Sequence, residues 1–173
     1  DKAWVTDMGV GLLFEKAFPD IGLILFRSSD TCQLVCPLIY ESKRCYIFGK
    51  YMADSFYSDV YKINGKFKLS LKDIPRPIVD YINNRCKGFQ PIPTPTPPPQ
   101  APTTGKITDC DELLKSLGVK FNLFKMPNDG NCFYNFIASA LGLSTHWDVR
   151  NIFASVLTED AFDKIKTVNS ELL

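Results

Sequence analysis

One cysteine of the chain stands where a tight polar turn meets the start of a helical pattern. Cys132 follows the polar residues 128–131. The apolar residues after it recur at the spacing of one buried helix face, at Phe133, Phe136, Ile137, Ala140 and Leu141. Asp129 and Asn131 are both candidate N-caps, and Gly130 permits a sharp backbone turn. Because a thiol in the first turn of a helix lies beside unpaired N–H groups and the positive end of the helix dipole, its thiolate form is favoured. The pattern therefore predicts a nucleophilic cysteine, with amides nearby that can hold an oxyanion.

The residues around this cysteine resemble a known protease motif. Asp129-Gly130-Asn131-Cys132-Phe133-Tyr134 resembles the Asp-Gly-Asn-Cys-(Leu/Phe)-(Phe/Tyr) motif of the OTU (ovarian tumour) family of cysteine proteases, and its Phe-Tyr ending is similar to viral members. Residues 145–150 are similar to the next helix of that family, where an arginine commonly follows a short polar approach. The resemblance implies Cys132 as the nucleophile, with Asp129, Gly130 and Asn131 in the loop that shapes the oxyanion hole. It also implies ubiquitin or a ubiquitin-like protein as the partner, cleaved at isopeptide or peptide bonds.

The general base of such a protease has no clear candidate in the chain. OTU proteases use a histidine that lies late in the domain on a strand. The single histidine here, His146, follows Cys132 by only fourteen residues and stands at a helix start. We do not expect it to act as the base. The chain begins Asp-Lys-Ala-Trp and ends within a helical pattern. We therefore expect it to be the nucleophile-bearing part of a longer protease, inactive by itself, with the remainder of its parent chain as a partner.

Three alternatives stay open. In the first, the chain serves as a non-catalytic interaction or scaffold module of a viral replicase polyprotein. In the second, it belongs to a papain-like protease that processes viral polyprotein junctions. In the third alternative, Cys132 is a buried structural thiol and residues 129–131 form only a helix cap.

Composition limits the other classes of function. The net charge of +1 over 173 residues, without a basic block, argues against nucleic acid as a partner. No apolar run is long enough for a membrane span and no secretory signal is present, so a cytoplasmic location is expected, in the host cytosol if the protein is viral. The six cysteines fit no compact disulfide pattern. Cys32, Cys36, Cys45 and Cys86 have the wrong spacing for paired zinc knuckles. We expect no metal and no cofactor.

Proline content divides the sequence. Seven of the twelve residues from Pro91 to Pro102 are proline, which predicts a stiff spacer that cannot join a sheet. The predicted fold class is α+β, in three parts. Residues 1–88 are expected to form a small sheet-plus-helix module of unknown role, and residues 89–106 a Pro-rich linker. Residues 107–173 are expected to form a mainly helical, incomplete OTU/papain-like half-domain.

Local patterns predict the elements of both parts. In the first part they predict a helix over 11–18, strands over 21–27, 32–40 and 44–48, a hairpin around Asn64-Gly65 from 59–63 to 66–71, and a helix over about 76–84. In the second part they predict a capped helix ended by Gly118, an extended segment over 119–124, the helix after Cys132, a helix capped by Ser144 or Thr145, and a last helix from about Glu159.

Overall fold

The computed structural model describes residues 7–28, 32–35, 43–52, 57–83 and 109–170. The helices are α1 (Asp7–Ala17), α2 (Arg76–Asn83), α3 (Cys110–Ser116), α4 (Cys132–Leu141), α5 (His146–Val156) and α6 (Glu159–Ser170), with a short 3-10 turn at Leu71–Asp73. The strands are β1 (Ile21–Ser28), β2 (Cys32–Val35), β3 (Cys45–Met52), β4 (Tyr57–Ile63), β5 (Lys68–Leu69) and β6 (Phe121–Phe124). Helices and a mixed sheet together confirm the predicted α+β class. Among the described residues, none of the helices combines the length and apolar character needed to cross a bilayer.

Within the described residues, one sheet runs in the order β2-β1-β3-β4-β6. β1 and β3 are parallel, whereas β2 pairs with β1, β4 with β3, and β6 with β4 in antiparallel fashion. The short β5 also pairs with β3, beside Tyr46 and Ile47, so it continues the edge that β4 occupies from Phe48 onward. The continuous apolar run of β1 suits this central position, because both faces of the strand are covered.

Each face of the sheet carries its own core, and helices from both ends of the sequence build them. On one face, α2 and α3 cover the strands with Ile24, Phe26, Phe48, Tyr61, Ile78, Val79, Ile82, Leu113 and Leu114 among the buried residues. On the other face, α1, α4 and α5 bury Phe14, Leu23, Leu25, Ile47, Val60, Phe136, Ile137, Val149 and Phe153. α6 lies against α1, where the Lys16 Nζ and an Asp160 carboxylate oxygen are 3.9 Å apart.

This architecture differs from the expected division into residues 1–88, 89–106 and 107–173. Residues Phe121 to Phe124 pair with Ile63 to Val60, so a strand from the third part completes the sheet of the first. Both cores also combine residues from before and after the proline-rich stretch. The described residues of the first and third parts therefore form one packed unit. The proline-rich stretch itself, 89–106, lies outside the described residues.

The Asn64-Gly65 turn forms, but the segments before and after it do not continue as a paired hairpin. Asn64 and Gly65 both have positive φ (47° and 77°), and Ile63 and Lys66 exchange backbone hydrogen bonds of 2.9 Å, as a two-residue hairpin turn requires. Beyond Lys66 the chain pairs with β3 instead of β4. The free edge of β4 is taken by β6, which explains why the hairpin extends no further.

Candidate active site

Helix α4 is held against the sheet by a close approach at Gly49. The Phe136 ring lies over this glycine of β3, and a Cβ atom there would come within 2.9 Å of the Phe136 Cζ. Ile137 and Ala140 are buried on the same face as Phe136, as the sequence spacing predicted. Gly142 ends the helix in the left-handed conformation (φ 72°). The packing fixes the direction of α4 and therefore the place of its first residue, Cys132.

The loop before α4 is folded by its own side chains. Gly130 has φ 77°, a conformation that side chains rarely adopt. An Asp129 carboxylate oxygen accepts a 2.8 Å hydrogen bond from the Asn131 backbone N–H and a longer one, 3.5 Å, from the Asn135 carboxamide. The backbone hydrogen bond from Asn131 is the main cause that lowers the pKa of Asp129 below its ordinary value. Asp129 therefore stays ionised and keeps the turn closed at neutral pH.

Of the two candidate N-caps, Asp129 and Asn131, it is Asn131 that occupies the N-cap position of α4. Its side chain, however, does not cap the helix. Its φ and ψ are −112° and 10°, and no cap hydrogen bond forms. Its Oδ1 instead accepts hydrogen bonds from the Arg150 Nη2 (2.6 Å) and Nε (3.2 Å). This contact joins the loop to α5 across nineteen positions of sequence.

Arg150 is itself fixed by aromatic rings. Its guanidinium carbon lies 4.1 Å from the ring centroid of Tyr134 and 5.8 Å from that of Trp147. The start of α5 is set by Asp148, whose carboxylate accepts from the Thr145 backbone N–H (2.9 Å) and hydroxyl (3.2 Å). This is the cap predicted for Thr145. It holds the helix that carries Arg150 in place beside the loop.

Cys132 lies at the first position of α4 as predicted, with 7% of its surface exposed. The side chain is buried and does not stand open in solvent. Cys132 therefore stands at the N-terminal end of α4, directly after the loop that Asp129 and Asn131 shape.

The structure places His146 at the first position of α5, half-buried. Its imidazole lies beside the Trp147 ring, with centroids 5.1 Å apart. Trp147 is 62% exposed, the most exposed large apolar side chain of the described residues. The imidazole is thus paired with a surface indole at a helix start, the position that the sequence indicated.

Three cysteine side chains are described in the structure. Cys45, Cys110 and Cys132 form no disulfide bond. No group of three or more potential ligand side chains gathers among the described residues. Cys36 and Cys86, two of the four cysteines considered for zinc, lie outside the described residues.

A partly buried charged cluster was missed by the sequence analysis. The Lys50 Nζ contacts Asp109 Oδ1 at 2.7 Å and Asp111 Oδ1 at 3.1 Å, and the Tyr61 hydroxyl donates to the same Asp111 oxygen at 2.5 Å. We call these four residues the Lys50 cluster. The available signal was strand alternation, since Lys50 shares the inward face of Tyr46 and Phe48.

The titration of the Lys50 cluster does not suit general base catalysis. Burial alone would lower the pKa of Lys50, but its hydrogen bonds to Asp109 and Asp111 outweigh that effect and raise it. Burial, and then the hydrogen bond to Asp111, raise the pKa of Tyr61 far above its ordinary value. At neutral pH both groups hold their protons, so the cluster anchors α3 to the sheet instead of accepting a proton.

Comparison with known proteins identifies no relative of this chain. No protein family matches the chain, no curated protein matches it significantly, and no solved structure matches it significantly.

Proposed function

We propose that this chain carries the nucleophile element of an OTU-like cysteine protease, with Cys132 as the attacking thiol. One observation carries the proposal: Cys132 is the first residue of α4 and directly follows a turn with Gly130 at φ 77°. A nucleophilic cysteine at a helix start is activated by the dipole and lies beside amides that can hold an oxyanion. Asp129 and Asn131 shape the loop, by closing the turn and by contacting α5 respectively.

The proposed substrates are isopeptide or peptide bonds after the C-terminus of ubiquitin or a ubiquitin-like protein, in the cytosol. This substrate class comes from the motif resemblance at residues 129–134. Such a C-terminus is a thin, extended chain. A cysteine with only 7% exposure is compatible with a substrate that enters in this form.

The first test is covalent labelling by ubiquitin that carries a C-terminal Michael acceptor. We expect the native chain to gain the mass of one ubiquitin even though it is expected to be inactive in hydrolysis, since addition to a Michael acceptor requires the thiol but not a complete hydrolytic cycle. Cys132→Ala should gain none, because the substitution removes the nucleophile and little volume. Cys45→Ala, which removes a thiol that is partly exposed and forms no disulfide, is the matched control and should label like the native protein. Intact mass spectrometry reads both results. Labelling that persists in Cys132→Ala would refute the assignment of the nucleophile.

A second candidate function is a non-catalytic module that binds a ubiquitin-like protein. It is favoured by the single histidine of the chain, His146, which lies beside Trp147 at the start of α5. The same labelling experiment separates the two functions. Reversible binding of ubiquitin without a covalent adduct supports the binding module, whereas an adduct at Cys132 supports the protease element. Labelling by a probe built on a viral junction peptide, in place of ubiquitin, supports a polyprotein-processing protease.

A further inference from the structure

The N-cap side chain of α4 is turned away from the helix it precedes. Asn131 has φ −112° and ψ 10°, outside the extended region where N-cap residues usually lie, and its side chain makes no cap hydrogen bond. Asp109 of the same chain shows the ordinary behaviour. It is extended (φ −102°, ψ 129°) and accepts a 3.1 Å hydrogen bond from the Asp111 backbone N–H at the start of α3.

The oxygen that would cap α4 is used by α5 instead. Both the Nη2 and the Nε of Arg150 donate to the Asn131 Oδ1, at 2.6 and 3.2 Å. A carboxamide oxygen has two lone pairs, so these two donors satisfy it fully. The Tyr134 ring, 4.1 Å from the guanidinium carbon, supports the arginine from the side of α4. The side chain of Asn131 is therefore held toward α5 by a partner with its own packing.

We infer that Arg150 is a positioning residue that keeps the Asn131 carboxamide off the start of α4, so that a substrate oxyanion can occupy the place of the cap. The inference rests on the proposed function, because it concerns the oxyanion formed when Cys132 attacks a carbonyl. A capping carboxamide and an oxyanion both bind through N–H groups of the first helical turn, so one excludes the other. Without Arg150, the Asn131 carboxamide keeps only a long hydrogen bond, 3.4 Å, from its Nδ2 to the Asp129 backbone oxygen, and its Oδ1 can turn to cap the helix and block that place.

Two reactions of the same thiol separate this role from a general structural one. When the Cys132 thiolate attacks a C-terminal aldehyde, a C–S bond forms and the carbonyl π bond breaks. The electron pair moves to oxygen, and the thiol proton has already passed to the buffer. When the thiolate attacks iodoacetamide, a C–S bond forms and iodide leaves with the electron pair of the C–I bond. Only the first reaction produces an oxyanion, so only the first should depend on Arg150.

The experiment compares Arg150→Met with Arg76→Met in the full chain. Met keeps much of the apolar length against Tyr134 but removes both donors to Asn131. Arg76 is a matched control, since it is a partly exposed arginine on α2 that pairs with Asp80. We expect the affinity for ubiquitin C-terminal aldehyde to fall at least about tenfold in Arg150→Met and to stay unchanged in Arg76→Met. The iodoacetamide rate at Cys132, read by peptide mass spectrometry, should stay unchanged in both.

A double variant makes the test specific. Arg150→Met combined with Asn131→Ala removes the side chain that would move into the cap, so aldehyde affinity should recover much of the loss. Arg150→Lys, which keeps one cationic donor toward Asn131, provides a second variant if the methionine variant folds poorly. It should lie between the native protein and Arg150→Met.

The possible failures are distinguishable. Native protein that binds the aldehyde while Arg150→Met and Arg150→Lys bind it equally well would overturn the inference and leave the proposed function intact. A loss that the Asn131→Ala substitution does not restore, or a parallel loss of iodoacetamide reactivity, would also overturn it, since either result indicates a collapsed loop. Native protein that alkylates at Cys132 but forms no aldehyde adduct would refute the proposed function, and the inference with it.

Discussion

Gly130 and Gly142 bracket α4 and offer a controlled test of what the loop does. Both have positive φ (77° and 72°), and in both an added Cβ would meet nothing within 4 Å. Alanine at either position is therefore strained by its backbone alone. Gly130 lies two residues before Cys132, whereas Gly142 lies at the far end of the helix.

We expect Gly130→Ala and Gly142→Ala to lower the free energy of unfolding by a similar amount, about 1–2 kcal/mol, because a left-handed residue with a Cβ carries that cost. Only Gly130→Ala should also slow the labelling of Cys132 by the ubiquitin electrophile, since it disturbs the turn held by Asp129. Urea denaturation measures the first effect and intact mass the second. Equal labelling rates in the two variants would mean that the loop shape is irrelevant to the thiol.

At this scale the sequence predicted positions better than contacts. The placement of Cys132 at a helix start follows from local signals, namely Gly130 and the apolar spacing after the cysteine. Arg150 was recognised only as part of a motif, and its hydrogen bonds to Asn131 were not predicted. A side chain that reaches across nineteen positions depends on how two helices pack, which no local pattern encodes.

Helix α3 is attached to the sheet by the Lys50 cluster as well as by apolar contacts. The Lys50 side chain is 9% exposed, whereas its partners Asp109 and Asp111 are 45% and 23% exposed. Without the lysine, both carboxylates would lose a partner, but each could recover part of its hydration. The cost of removing Lys50 should therefore be smaller than for a fully buried ion pair.

We expect Lys50→Met to lower the free energy of unfolding by about 1–3 kcal/mol. Lys164→Met should change it by no more than ~0.5 kcal/mol, because Lys164 and Asp160 form an exposed pair one helical turn apart. Chemical denaturation at neutral pH measures both. A stable Lys50→Met protein would show that the apolar contacts of α3 suffice.

The same cluster gives stability a defined pH range. The raised pKa values of Lys50 and Tyr61 mean that their contributions are present below about pH 10 and are lost as pH rises through the folded-state values. Burial alone would raise the pKa of Asp109, but the hydrogen bond from Lys50 outweighs that effect and lowers it. The contribution of Asp109 to stability is therefore lost as pH falls below about 4. In Lys50→Met the fall in stability above pH 10 should be shallower than in the native protein.

Elements were predicted well from local patterns, and their partners were not. The helices that contain Cys132 and that follow Thr145 begin where the sequence indicated, since caps and 3.6-residue spacing are local signals. Strand alternation indicates which face is buried but not which strand lies alongside. The parallel pairing of β1 with β3, and the antiparallel pairing of β6 with β4 across the proline-rich stretch, therefore required the structure.

At the scale of the whole molecule, residues on both sides of the proline-rich stretch complete one sheet and two cores. Phe136 lies over Gly49 of β3, and Phe121 to Phe124 pair with β4. Neither half of the sequence buries its apolar residues alone. The covalent connection between them should matter less than the surfaces they share.

We expect the chain to stay together after it is cut at a protease site inserted between Pro91 and Pro102. The two pieces should elute as one species in size-exclusion chromatography and unfold in one thermal transition, because β6 and α4 are integrated with β3 and β4. The uncut inserted protein is the control. Separation of the pieces under native conditions would show that they are independent domains after all.

The pairing of β6 with β4 also has a consequence for how the protein is made. Once Asn83 has left the ribosome, β4 still lacks the neighbour on its outer side and the sheet still lacks α4. About 60 more residues must be translated before Leu141 follows, which takes roughly 3 to 12 s at ~5–20 residues per second. During those seconds the nascent chain exposes the unpaired outer edge of β4 and the sheet face that α4 later covers. Chaperones that bind exposed strands and apolar surfaces are therefore expected to accompany its synthesis.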